Sequence, residues 1–371
     1  MSGMRVPAPK TALRWAAPLA FVLVAGGTGL VASTATADPH LPPITPEQLL
    51  VDLQNVHVDH LSGEVTEEAH LGLPTLPGSG QESSDFNSLI DGSHALGVWL
   101  ASPDKARVAL YGQLGESDVI TNGTDVWRWS HRDNSVTHST ITPGAGKQTP
   151  EATPTDLPKT PQEAAQRVLD AIGPTSKVST DSAVTVAGRP SYELVVEPNE
   201  AGSLVTEAKL AVDGETHLPL RVEAFAGDTK VFSVGFTKID FTKPDDKYFE
   251  FTPPPGAKVT EVAPKSSGRP SKEPSTGTDK QSGSADEPTV VGKGWTTVVI
   301  TKAPNPTTGS DRQSAGPNPL EQLLDQLPRV SGDWGSGRLL AGTAFSAVLT
   351  DDGRLAVGSV APDLLYAALK K

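Results

Sequence analysis

The strongest constraint on how this chain folds lies in Val119-Ile120-Thr121-Asn122-Gly123-Thr124-Asp125-Val126-Trp127-Arg128-Trp129, which continues through Asp133-Asn134-Ser135-Val136-Thr137. Asn-Gly and Asp-Asn are turn residues that accept positive φ, and the segments between them are β-branched and aromatic. The reading is strand, tight turn, strand, turn, strand, which only an antiparallel meander satisfies. The same grammar returns later. Leu204, Ala208 and Leu210 alternate against Glu207 and Lys209; Leu218, Leu220, Val222 and Ala224 alternate against Arg221 and Glu223; Phe232, Val234 and Phe236 alternate with smaller or polar residues. Period-2 patterning means antiparallel strands with one wet face. No run alternates with helices as a βαβ unit does, so a doubly wound nucleotide fold is excluded.

Two helices interrupt the strands. Thr45-Pro46-Glu47-Gln48 provides a capping Thr, Pro at the first helical position and Gln at the third, followed by Leu49, Leu53 and Val56 at helical spacing. Thr160-Pro161-Gln162-Glu163 repeats the signal, with Ala164, Val168, Leu169 and Ile172 as the buried face and Gly173-Pro174 as the stop. Further strands are expected at 63–71, 95–101, 106–111, 118–121, 125–129 and 136–141, with long polar loops at 72–92 and 143–159. Residues 264–288 are rich in Lys, Ser, Gly, Pro, Asp and Glu and read as a disordered linker. Beyond it, 294–301 reads as a strand, 318–327 as a short helix, 338–349 and 354–360 as a hairpin around Asp351-Asp352-Gly353, and 363–370 as a last helix. Residues 289–371 are expected to pack on, or complete, the main sheet, because two or three strands make a small core.

One further segment, Lys247-Tyr248-Phe249-Glu250-Phe251-Thr252-Pro253-Pro254-Pro255-Gly256-Ala257-Lys258-Val259, joins the hairpin at 119–141 in a pattern. Together they resemble the LolA-type lipoprotein-carrier superfamily, whose members carry a "DG-x-x-x-W" hairpin and a closing "F-x-F-x-P-P-x-G" strand. The resemblance covers most of residues 45–263. It implies an α+β, mostly β fold: a curved antiparallel half-barrel sheet covered by a few helices, here with a C-terminal extension. Two departures matter. Gly97-Val98-Trp99-Leu100-Ala101-Ser102-Pro103 is similar to the family's "W-V-x-R-P" strand, but Ser102 stands where carriers have the Arg that latches the lid. The extension after the linker is similar in placement to that of envelope regulators of the RseB/MucB type, which sense lipids and bind an anti-sigma factor. Anchored carriers of the LppX/LprG type begin at a lipobox Cys, and this chain has no cysteine.

The N-terminus reads as an export signal over residues 1–37. Arg5, Lys10 and Arg14 precede the apolar stretch Trp15 to Ala32, and Ala35-Thr36-Ala37 is a small-x-small cleavage site. An uncleaved membrane anchor is the alternative. The protein is expected outside the cytoplasm, periplasmic or secreted. Without cysteine there is no disulfide framework and no thiolate metal site. Cleavage removes three basic residues and no acidic one, leaving 28 Lys and Arg against 44 Asp and Glu, a net charge of −16. Such a surface repels phosphate backbones, so nucleic acid is not an expected partner.

Chemistry-bearing motifs each have a plainer reading. His57-Val58-Asp59-His60 offers a metal pair but no third ligand. Glu64, Glu67 and Glu68 beside His70 fall on alternating strand faces and read as a charged outer surface. Asp351-Asp352-Gly353 is first a hairpin turn, and Asn122-Gly123-Thr124 fits a glycosylation sequon but serves as a turn. There is no nucleophile elbow, His-Glu-x-x-His or phosphate loop. No enzyme, cofactor or metal is expected; a hydrolase with an unrecognised site is the reading from another class. Candidate cavity-lining residues are Leu49, Leu53, Trp99, Leu110, Val126, Leu210, Leu220, Val222, Phe232 and Phe236. A cavity and a packed core share one binary pattern, and the resemblance favours a cavity for acyl lipid or lipoprotein. The alternative is an envelope sensor with a membrane protein partner.

Overall fold

The computed structural model describes residues 41–72, 84, 86–112, 115–140, 173–262, 288–303, 324 and 326–370. The expected signal segment, the helix at 160–172 and nearly all of the linker and of the 318–327 helix lie outside these. Helix α1 (Pro46–Gln54) starts where the capping residues place it, with the Thr45 hydroxyl accepting from the Gln48 amide at 3.2 Å.

Two meanders make one sheet. The first runs β2 (Gly92–Ser102), β3 (Lys105–Gly112), β4 (Gly115–Asn122), β5 (Asp125–Ser130) and β6 (Ser135–Thr140). The second runs β7 (Ser176–Val186), β8 (Arg189–Pro198), β9 (Glu207–Asp213), β10 (Pro219–Ala226) and β11 (Thr229–Asp240). Strand β1 (Leu61–Ala69) lies between them, paired antiparallel with β2 on one side and β11 on the other. With β12 (Lys258–Val262) at one edge, the order is β12-β6-β5-β4-β3-β2-β1-β11-β10-β9-β8-β7. The result is the expected mostly β fold, a large curved sheet with few helices. The turns are the ones the sequence chemistry requires: Gly123 has φ 63° and Asn134 φ 44°.

Three expectations are corrected. The closing aromatic segment is not a strand. Asp246–Phe249 forms a 3-10 turn, and pairing begins only at Lys258, where the chain lies parallel to β6. Pro253-Pro254-Pro255 have no amide hydrogens to give a ladder, which keeps that stretch off the sheet. The strand expected from Leu204 starts at Glu207. The backbone before it is bound elsewhere, with the Leu204 amide donating to the Ser359 carbonyl at 2.9 Å.

The third correction is at the C-terminus, which holds more strands than its pattern indicated. Residues β13 (Thr289–Val291), β14 (Val298–Lys302), β15 (Arg329–Gly332), β16 (Gly335–Ala341), β17 (Ser346–Thr350) and β18 (Arg354–Gly358) form their own sheet, ordered β13-β14-β18-β17-β16-β15. Several are too short for alternation to show. Helix α2 (Pro362–Leu369) covers it, burying Leu365, Ala368 and Leu369 against Val298, Val348 and Ala356, while Tyr366 stacks on Trp334 at 5.5 Å. The two sheets meet through an antiparallel bridge at Ser203 and Val360. The Thr343 amide also donates to the Leu71 carbonyl at 2.7 Å, and the Trp295 indole donates to the Ser176 hydroxyl at 2.7 Å.

Candidate functional site

Residues directly opposite in neighbouring strands share a face, so the register identifies which side chains stand together. One unbroken row crosses the large sheet: Leu194 opposes Leu210, Leu210 opposes Val222, Val222 opposes Val234, Val234 opposes Glu67, and Glu67 opposes His94. Helix α1 covers the first part of this face. Leu49 is fully buried with Leu194 and Val212, and Leu53, Leu210 and Tyr192 pack around them. The next row along the strands brings Phe236, Val65, Leu96, Leu110 and Ser117 onto the same side.

Eight of the ten candidate lining residues, Leu49, Leu53, Leu110, Val126, Leu210, Val222, Phe232 and Phe236, are placed on or beside this α1-side face by helix α1 or by the register. Leu49, Leu53 and Leu210 form one cluster; Leu220 and Phe236 pack together with Val186 and Ala211 in a second. Leu220 sits at the irregularity between Pro219 and Arg221 and is buried, as is Leu110. Val222, Phe232, Phe236 and Leu210 are half-buried, and Val126 lies at the open margin beside exposed Arg128. Trp99 stands on the opposite face. There it stacks on Tyr248 at 5.0 Å, with the Arg107 guanidinium 5.4 Å from its ring centre.

That opposite face explains the aromatic segment at 246–251. Phe249 is buried, and Phe251 packs against Trp127 and Trp129 at 5.4 and 6.4 Å. The segment is an aromatic strap across the first meander. Beneath it Arg107 donates to Asp118 at 2.7 Å and to Glu116 at 3.1 Å. Burial pushes the Asp118 carboxyl up to about 6 in spite of the guanidinium. At the sheet edge His138 lies 2.9 Å from Asp125 and 2.7 Å from Glu261 and stacks on Trp127 at 3.9 Å. The bond to Asp125 and then that to Glu261 raise its pKa.

Sequence reasoning placed Glu64, Glu67 and Glu68 on a charged exterior. For Glu64 and Glu68 the ion pairs with Lys238 and Lys230 fit that reading. Glu67 is different: it stands inward between buried Val65 and Ala69, and its partner is His94, not His70. The Glu67 carboxylate lies 2.9 Å from His94 Nδ1, and the two residues are 3% and 2% exposed. Burial raises the Glu67 pKa, while the His94 bond pulls the other way. Glu67 Oε1, His94 Nε2 and the Ser117 hydroxyl, all buried, have no hydrogen-bond partner. The available signal was parity, since an acidic residue two positions from both Val65 and Ala69 must face with them.

The other motifs resolve into local structure. Helix α1 ends before His57, which pairs with Asp59 in the open. Among the described residues no three His, Asp or Glu side chains gather as a metal set. Asp351 is engaged by Arg329 and Ser336, and Asp352 by Arg354 and Thr350, around Gly353 at φ 85°. Ser102 donates to Asp104 in the β2–β3 turn at 2.5 Å.

No protein-family model matches the sequence, and no curated protein matches it. Among solved structures, the chain is similar to the MucA/MucB complex structure of Pseudomonas aeruginosa at 13% identity and a TM-score of 0.41, over 87% of this chain and 94% of that one. It is similar to a LolA superfamily protein of Nitrosomonas europaea at 9% identity and a TM-score of 0.23, over 56% and 99%. A putative outer membrane lipoprotein-sorting protein domain of Vibrio parahaemolyticus gives 11%, 0.22, 55% and 95%.

Proposed function

We propose that the mature chain is an exported, non-enzymatic carrier of the cell envelope that holds the acyl chains of a lipid or lipoprotein on the α1-side face. The observation that supports this is the half-buried state of Leu210, Val222, Phe232 and Phe236 on one continuous apolar face, beside a helix of nine residues. Large side chains left partly open next to fully buried ones are a surface that an apolar ligand can finish covering. Each methylene laid on it contributes about 0.8 kcal/mol. The test is to purify residues 38–371 from the exported fraction, extract with organic solvent and identify bound lipid by mass spectrometry. Stoichiometric acyl lipid, lost in Val222→Glu or Phe232→Glu with circular dichroism unchanged, is the expected result. Buried Leu220 is unsuitable, because a charge there unfolds the protein. Protein that is empty and takes up no fluorescent fatty acid overturns the reading.

The second reading is an envelope sensor that docks a membrane protein through residues 289–371. The separate core of the C-terminal sheet and the exposed Val290 on its edge strand favour it. Deleting residues 264–371 spares lipid binding in a carrier and abolishes partner binding in a sensor.

A further inference from the structure

Strand parity divides the charges of the first meander between its two faces. Trp127 and Trp129 pack on Phe251, and His138 meets Glu261, all on the strap side. Arg128 on β5, Ser135 and Thr137 on β6, and Lys258 and Thr260 on β12 therefore stand on the α1-side face. The carboxylates that β2 to β6 and β12 carry, Glu116, Asp118, Asp125 and Glu261, are all on the strap side. Arg128 and Lys258 are exposed, and neither makes an ion pair among the described residues. Every other Lys or Arg in a strand of the large sheet pairs with a carboxylate. The acid nearest in sequence is Asp133 in the β5–β6 turn, which accepts from the Ser130 hydroxyl at 3.5 Å and has Arg132 beside it. In a mature chain of net charge −16, two unpaired cations on a face without carboxylates make a local reversal of the potential.

The reversal lies at the end of an apolar row. Gly63 opposes Val98, Val98 opposes Val108, Val108 opposes Val119 and Val119 opposes Arg128, and the three valines are half-buried. A Cβ at Gly63 would lie 2.8 Å from the Phe236 ring, so the valines continue directly from the acyl-binding residues proposed above. From Val98 to Arg128 is three strand spacings, roughly 14 Å. Arg128 opposes Thr137, while Lys258 opposes the neighbouring Ser135. The two cations are thus two strands and one diagonal step apart, roughly 12 Å between Cα atoms, a gap that their long side chains close around a single anion. A phosphate suits this set: the guanidinium holds two of its oxygens, the ammonium another, and the hydroxyls between them donate as well. We propose that Arg128 and Lys258, with Ser135 and Thr137 between them, form a rim site for the phosphate head of a lipid whose acyl chains lie along the valine row. This deepens the carrier reading above and rests on it: the apolar face takes the chains and the rim selects an anionic head.

The experiment offers the delipidated chain from residue 38 two lipids at once, in equal amounts, in micelles of a mild non-ionic detergent. They are dioleoylglycerol and dioleoylphosphatidic acid, which differ only in the phosphate. The protein is re-isolated and its bound lipid measured by mass spectrometry. A hydrogen bond between a charged donor and the phosphate contributes roughly tenfold or more in affinity, so enrichment of the phosphatidic acid by about that factor is expected. It should fall to near one in Arg128→Gln/Lys258→Gln with circular dichroism unchanged, since both side chains are exposed. Lys177→Gln/Lys238→Gln removes the same charge from residues paired with Glu197 and Glu64, and should keep the enrichment. Uptake of the two lipids in equal amounts overturns the rim site and leaves the carrier reading intact; uptake of neither overturns both. Enrichment that survives in Arg128→Gln/Lys258→Gln, or that is lost equally in Lys177→Gln/Lys238→Gln, overturns the assignment to these residues. Inorganic phosphate titrated into the lipid-free protein separates the two sources of the anion: binding as tight as that of phosphatidic acid means a site for free phosphate and overturns the lipid head.

Discussion

Replacing one member of the Glu67–His94 pair should destabilise the protein far more than replacing both. In Glu67→Leu the His94 ring loses the only partner of Nδ1, so both its nitrogens are buried and unpaired. In His94→Leu a carboxyl group is left alone among Val65, Ala69 and Leu96, all 4% exposed or less. Orphaning a buried polar group costs about 1–3 kcal/mol, and breaking a buried ion pair from one side costs about 3–5 kcal/mol. The double replacement removes four polar atoms, of which two are unpaired already, and leaves side chains suited to the site. It should be neutral or stabilising by about 1–4 kcal/mol. The coupling in a double-mutant cycle is therefore expected to be at least about 3 kcal/mol. Urea unfolding monitored by tryptophan fluorescence reads it, with unchanged slopes confirming that the variants unfold the same structure. A second signature follows from the raised Glu67 pKa. The unaltered protein is most favoured below the ordinary Glu range near 4.3, and loses that contribution as pH rises through the folded value. The double variant lacks this decline. Additive single effects, with a double variant destabilised by 4 kcal/mol or more, would refute the claim that the pair sits dry and under-satisfied.

Two further outcomes are expected elsewhere in the sheet. His138, its pKa raised by Asp125 and Glu261, ties β12 to β6 most firmly below the ordinary His value of about 6.5, and the tie weakens as pH climbs through the folded value. The protection of the Val259 to Glu261 amides, taken relative to their intrinsic exchange rate at each pH, should fall over that range, and protection that stays constant and matches His138→Gln counts against it. Gly97→Ala should destabilise by about 1–3 kcal/mol, because a Cβ there would lie 2.2 Å from the Trp99 ring and 2.6 Å from the Tyr111 hydroxyl. Thermal unfolding and Trp99 emission should move together as the ring leaves its stack on Tyr248. An unchanged melting temperature would mean that the strap tolerates the shift.

Much of the large sheet was legible from the residues. Turn pairs such as Asn122-Gly123 and the period-2 runs located most of its strands, because both signals act within a few residues. The cap at Thr45 fixed the start of α1 for the same reason. The aromatic segment misled because Phe-x-Phe has strand parity, whereas the prolines after it withhold the donors a ladder needs. The strands of the C-terminal sheet were harder to see, since runs as short as Thr289–Val291 and Arg329–Gly332 offer too few residues for alternation to register.

What the sequence determined by itself was local: which residues turn, which alternate, which cap, and that no thiol chemistry is available. Tertiary structure alone decided the pairings. Whether Glu67 faced solvent or core depended on strand β1 lying between β2 and β11, and its meeting with His94 depended on a register joining residues 27 apart in the chain. Trp99 was sent away from the other candidate lining residues in the same manner, by one step of parity in β2. A one-residue change of register exchanges the two faces of a strand, and register is set by the whole sheet closing on its core.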